Sequence, residues 1–106
     1  MAVIEREARI VNPLGMHARP AAELVKLANR FKASVTIRRG DLAVNGKSIM
    51  GVMMLAAECG SSIYLKTDGE DAAEAMEALL ALVAAGFHEM HLTAEDTGAA
   101  ADEETA

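Results

Sequence analysis

The stretch Lys47-Ser48-Ile49-Met50-Gly51-Val52-Met53-Met54-Leu55 can be read as a buried strand or as a short helix, and the choice decides the fold. Periodicity alone does not separate the two for so short an apolar run. Ser48 suits an N-cap, methionine and leucine favour helix over strand, and the run is too apolar for a half-wet strand. We therefore place a helix from Lys47 to about Leu55.

Upstream, Val35-Thr36-Ile37-Arg38 and Leu42-Ala43-Val44 flank Arg39-Gly40-Asp41, a hairpin pattern. Downstream, Cys59-Gly60-Ser61 turns the chain into a strand from Ser62 to Thr67, with Ile63 and Leu65 on one face and Tyr64 and Lys66 on the other. A last helix is expected from about Glu70 to Ala85. Glu70, Asp71 and Glu74 give it an acidic first turn, Ala72, Met76, Leu79 and Val83 its buried stripe, and Gly86 its stop. Nearer the N-terminus, Ala2, Ile4, Ala8 and Ile10 alternate with Val3, Glu5, Glu7 and Arg9, which predicts a first strand. Arg6 interrupts the inward face and is expected at a sheet margin with its head in water. Ala21, Leu24, Val25, Ala28 and Phe31 recur at helical spacing, so a helix is predicted from Ala18 to about Arg30, with Glu23, Lys26 and Arg30 on its wet side.

The order is then βαββαβα, an α+β arrangement. Because helices and strands do not strictly alternate, a four-stranded, mainly antiparallel sheet with three helices on one face is more economical than a parallel doubly wound sheet. Residues 1–92 form one domain in this reading. Residues 93–106 are acidic, alanine-rich and without a bulky apolar side chain, and are expected to be a disordered tail.

Composition narrows the function classes. The chain has 106 residues, 52% of them hydrophobic but only 3% aromatic, so a single modest core must be filled by aliphatic residues and seven methionines. No apolar run approaches the roughly 20 residues of a membrane span, and the first residues lack a signal-peptide layout. Cys59 is the sole cysteine, which leaves no internal disulfide. Together these predict a cytoplasmic protein without membrane insertion. The net charge of -6 hides an asymmetry: nine Lys or Arg against four Asp or Glu up to Met50, and one against twelve from Gly51 onward. The basic residues are scattered and lack an aromatic platform, which argues against nucleic acid.

Chemistry concentrates in Asn12-Pro13-Leu14-Gly15-Met16-His17-Ala18-Arg19-Pro20-Ala21. Asn12, Pro13 and Gly15 are turn residues, and the helical period begins just after His17, which reads as N-cap or the residue before it. Pro20 falls in the first helical turn, where a missing N–H removes no intrahelical bond. The amides of Ala18 and Arg19 are then free beside the imidazole. A helix start with unpaired amides and an arginine suits a tetrahedral oxyanion such as phosphate. A lone histidine at a helix start is more often a cap or a surface residue, so the pattern by itself only nominates the site.

Gly15-Met16-His17-Ala18-Arg19-Pro20-Ala21-Ala22, with Asn45-Gly46-Lys47-Ser48-Ile49-Met50-Gly51-Val52-Met53, resembles the HPr family, the histidine-containing phosphocarriers of the sugar phosphotransferase system. The likeness runs from about Val3 to Phe87. It implies an open-faced β-sandwich and a phosphoryl group accepted on His17 Nδ1 from enzyme I and passed to enzyme IIA proteins, with no cofactor and no metal. Arg19 would neutralise phosphate charge and the Ala18 and Arg19 amides would hold its oxygens. The resemblance also implies an apolar docking patch of Ile49, Met50 and Met53, bordered by Ala18, Ala22 and Lys26; ordinary core is the plainer reading of those methionines. Ser48 resembles the family's regulatory serine, the target of an HPr kinase/phosphorylase, and serves equally as a simple N-cap. Leu14-Gly15-Met16-His17 and the Ala85-Gly86-Phe87 ending look like the nitrogen-branch relative NPr, whereas Lys47 to Met53 looks like the sugar branch. A regulatory binding protein of the same fold that carries no phosphate is the reading from another class, against which His17 and Arg19 weigh. His88 and His91 are read as solvated residues beyond the last helix, since two ligands do not make a metal site. A monomer is expected.

Overall fold

The computed structural model describes residues 2–92. The tail expected to be disordered lies outside the described residues. The elements follow the expected order: β1 (Ala2–Arg9), α1 (Ala18–Ala28), β2 (Ser34–Arg39), β3 (Leu42–Asn45), α2 (Ile49–Met54), β4 (Ser62–Gly69) and α3 (Ala72–Ala84). The four strands form one sheet in the order β1-β4-β2-β3. Every pairing is antiparallel, with Arg6 opposite Leu65, Ile37 opposite Leu65 and Ile37 opposite Val44.

Side-chain alternation gives the sheet its two faces. Val35 and Ile37 on β2 and Ile63, Leu65 and Thr67 on β4 are buried, while Lys66 is exposed and Thr36, Arg38 and Tyr64 are only partly covered. On this open face the Arg38 guanidinium lies 4.3 Å from the centre of the Tyr64 ring, a favourable cation–π contact. On the closed face Leu24 and Val25 of α1, Val52 of α2 and Leu79 and Val83 of α3 join the strands' apolar side chains in one core. With so few aromatics, close interdigitation of aliphatic side chains supplies the packing.

Two helix starts settle differently from their sequence pattern. The helix read from Lys47 begins at Ile49, because Ser48 is extended and its Oγ accepts from the Gly51 N–H at 3.1 Å. Lys47 instead donates through Nζ to the Phe31 carbonyl at 2.8 Å. Glu70 and Asp71 precede α3, and only Glu74 stands in its first turn. The Asp71 carboxylate accepts from the backbone N–H groups of Lys32 at 2.8 Å and Ala33 at 2.7 Å, tying the chain after α1 to the entry of α3. The Lys32 amide bond is the largest cause holding the Asp71 carboxyl below its ordinary value, with Ala33 adding to it and burial opposing.

After α3 the chain takes three left-handed residues in succession, Gly86 (φ 63°), Phe87 (φ 55°) and His88 (φ 60°). For the two that are not glycine this costs about 1–2 kcal/mol each. Burying the Phe87 side chain, which is 2% exposed, returns about 1.5–3 kcal/mol and offsets most of it. After this turn residue 89 lies against Asn12 and His17, at the start of α1.

Among the described residues no helix is long and apolar enough to cross a membrane.

Candidate functional site

The site begins with the turn that precedes α1. Asn12 is fully buried; its carbonyl accepts from the Gly15 N–H at 3.1 Å and its Nδ2 donates to the Gly15 carbonyl at 2.8 Å. Gly15 takes φ 70°, and a β-carbon there would sit 2.6 Å from the Ala57 carbonyl oxygen, so only glycine fits the close approach. Met16 then donates its N–H to that same Ala57 carbonyl at 2.7 Å. The loop is thus clamped to the segment after α2, and His17 leaves it at a fixed position.

His17 is the N-cap of α1, as the sequence indicates, with an extended backbone and a ring that makes no capping bond. The first intrahelical bond runs from the Ala21 N–H to the His17 carbonyl at 3.0 Å. Pro20 has no N–H, and the Ala18 and Arg19 amides donate to no backbone acceptor among the described residues. These are the free donors of a helix start, at the positive end of its dipole. Arg19 adds a cation that is 59% exposed and so able to move toward an anion.

Glu89 completes the site. Its Oε1 lies 2.8 Å from His17 Nε2 and accepts from Asn12 Nδ2 at 2.8 Å; the Glu89 side chain is 0% exposed and that of His17 36%. An ionised carboxylate oxygen can only accept, so opposite ionised Glu89 a neutral ring makes this bond with the proton on Nε2 and the lone pair on Nδ1. Arg19 Nη1 stands 4.0 Å from Glu89 Oε2, which has no hydrogen-bond partner among the described residues.

Sequence reasoning missed Glu89 and saw Asn12 only as a turn residue. His88 and His91 are exposed, as expected of solvated residues, and buried Glu89 stands between them. One available signal was the large apolar Phe87 directly after the helix stop at Gly86, which marks a point where the chain returns to the core.

The remaining candidates lie on α1, on α2 and at the cap of α2. Ile49, Met50 and Met53 are exposed large apolar side chains, Met50 at 74%, while Val52 and Leu55 point into the core. Met54 is a fourth exposed apolar residue on this helix, which the sequence reading had not singled out. Ala18, Ala22 and Lys26 are exposed on α1, which packs against α2. Ser48, the N-cap of α2, is half-buried.

Residues 4–85 match the family model described as PTS HPr component phosphorylation site. The phosphocarrier protein HPr of Cupriavidus necator is 52% identical over 87 residues, covering 82% of this chain and 98% of that one. Among solved structures, HPr from Bacillus anthracis is 46% identical with TM-score 0.75, covering 78% of this chain and 99% of that one. An HPr from Thermoanaerobacter tengcongensis is 38% identical with TM-score 0.78, covering 81% and 97%.

Proposed function

The chain belongs to the HPr family of phosphotransferase-system phosphocarriers, and from that premise we propose that His17 Nδ1 is the atom that accepts and returns the phosphoryl group. The observation that carries the assignment is the engagement of Nε2 by buried Glu89, which leaves Nδ1 as the nucleophilic nitrogen beside the free amides of Ala18 and Arg19.

In acceptance, the Nδ1 lone pair attacks phosphorus in line as the donor's bond to phosphorus breaks. The phosphoryl oxygens carry the negative charge of that transition state, and donors already aimed at them stabilise it without reorganisation. The Ala18 and Arg19 amides and the Arg19 guanidinium are the donors suited to this. Donation reverses the steps: the P–Nδ1 bond breaks and its electron pair returns to the ring. One site therefore both receives and gives, with little machinery beyond position and charge.

We assign enzyme I as donor and enzyme IIA proteins as acceptors, in the cytoplasm and with a monomeric carrier. Ile49, Met50 and Met53, bordered by Ala18, Ala22 and Lys26, would dock both kinds of partner. Flexible, polarizable methionines suit a surface that must fit more than one shape. Ser48 is the proposed regulatory site. Phosphate there would place nearly two negative charges beside Ile49 and Met50, where a partner bearing its own phosphohistidine must approach.

Incubation with phosphoenolpyruvate and sugar-branch or nitrogen-branch enzyme I, followed by intact mass, tests the assignment. One acid-labile phosphoryl group is expected, absent from His17→Ala, and the faster enzyme I identifies the branch. No mass gain with either enzyme, or an acid-stable gain, overturns the carrier reading.

A further inference from the structure

We infer that Asn12 and Glu89 form a buried dyad that sets where the His17 ring holds its proton, with Asn12 acting as a positioning residue through Glu89. The inference rests on His17 as the phosphoryl site and deepens it.

Both side chains are 0% exposed. Burying an amide and a carboxylate is unfavourable unless each is well bonded, and yet Asn12 Oδ1 and Glu89 Oε2 have no hydrogen-bond partner among the described residues. The fold does not require this pair, because Glu89 follows the last helix and an apolar residue could close the core there without that penalty. What the pair does have is direction. Asn12 Nδ2 is within 2.8 Å of both the Gly15 carbonyl and Glu89 Oε1, and the same Oε1 is 2.8 Å from His17 Nε2. The carboxylate is thereby referenced to the turn that delivers the histidine, although it lies 72 residues away in sequence.

The chemical consequence follows from charge. When Nδ1 attacks phosphorus the imidazole becomes positive, and the Nε2–H bonded to Glu89 places a negative group against that charge. The new P–Nδ1 bond replaces the donor's bond to phosphorus, and no proton has to leave the ring. On release, the protonated Nε2 makes the ring a better leaving group, and the Nδ1 electron pair is restored. In the opposite tautomer Nδ1 would carry the proton and have no free lone pair, while the nucleophilic Nε2 would face a carboxylate.

The test reads the ring directly. In protein labelled with 15N-histidine, two-bond proton–nitrogen spectra at a pH where the rings are neutral report which nitrogen of His17 is protonated, with exposed His88 and His91 as internal references. Wild type is expected wholly in the Nε2–H form. Asn12→Ala and Glu89→Ala should both drift toward the tautomer mixture of the two exposed histidines, and enzyme I-dependent phosphorylation should slow by about tenfold or more, as for loss of a charge-assisted bond. Glu89→Gln keeps an acceptor facing both donors, so it should hold the Nε2–H form yet still slow transfer. The double variant Asn12→Ala/Glu89→Ala should match Glu89→Ala alone, since Asn12 acts through Glu89. If Asn12→Ala leaves the His17 signals and rate at wild-type values, or if the two changes simply add, the dyad is wrong. If wild type accepts no phosphoryl group, the carrier reading fails, and the ring spectra still decide the dyad.

Discussion

Gly15→Ala should damage the site through the backbone alone. The residue holds φ 70°, and the added Cβ would lie 2.6 Å from the Ala57 carbonyl oxygen and 3.0 Å from Glu58 Cα. Both are backbone atoms, so no side chain can swing away. A left-handed alanine costs about 1–2 kcal/mol, and relieving the clash to an ordinary 3.4 Å contact moves the loop by 0.8 Å, the difference between 3.4 and 2.6 Å. That shift strains the Met16-to-Ala57 bond of 2.7 Å and displaces His17 next to it. We expect a stability loss of about 1–3 kcal/mol in urea unfolding. The rate of phosphoryl acceptance, measured where both proteins are fully folded, should fall by about 10- to 100-fold, the scale on which an ångström of misplacement acts. A variant with wild-type stability and wild-type rate would refute the claim that this turn fixes the histidine.

Met50→Lys, at a side chain 74% exposed, should change stability by no more than about 0.5 kcal/mol while raising the KM for enzyme I. An unchanged KM would remove Met50 from the docking patch. Ser48→Asp should slow His17 phosphorylation relative to Ser48→Ala most strongly at low salt, where repulsion is least screened; equal rates there would exclude an electrostatic brake. Asp71→Asn should be less stable than wild type at neutral pH, because the Asp71 carboxyl is held low chiefly by the Lys32 amide. A folded-state value below the unfolded one stabilises above about pH 4 and is lost as pH falls further. The gap between the two proteins, measured by thermal unfolding, should therefore shrink on acidification through pH 4 and hold steady above pH 5; a gap that widens in acid would contradict this.

Local rules reached the parts of this fold that local chemistry decides. Pro20 and the apolar spacing that follows it placed the start of α1, and Ser48 marked the cap of α2 because its hydroxyl meets an amide three residues away. The same rules failed where a distant segment outbids the local one. Asp71 looks like part of an acidic helix start, yet its carboxylate is taken by amides at Lys32 and Ala33. Glu89 was illegible for a stronger reason. Its position depends on left-handed Phe87 and His88, a conformation that neither residue favours locally and that the burial of Phe87 stabilises. Whether Ile49, Met50 and Met53 were core or surface also turned on which side of a six-residue helix met the sheet, something its uniformly apolar sequence could not say.

If Glu89 occupies Nε2, His17 must carry the phosphoryl group on Nδ1. This is tested most directly by nuclear magnetic resonance of 15N-histidine-labelled protein phosphorylated with phosphoenolpyruvate and enzyme I, following phosphorus-to-nitrogen coupling within the ring. Coupling is expected to Nδ1 of His17, with the proton retained on Nε2. Coupling through Nε2, or a phosphoryl group on His88 or His91, would contradict it.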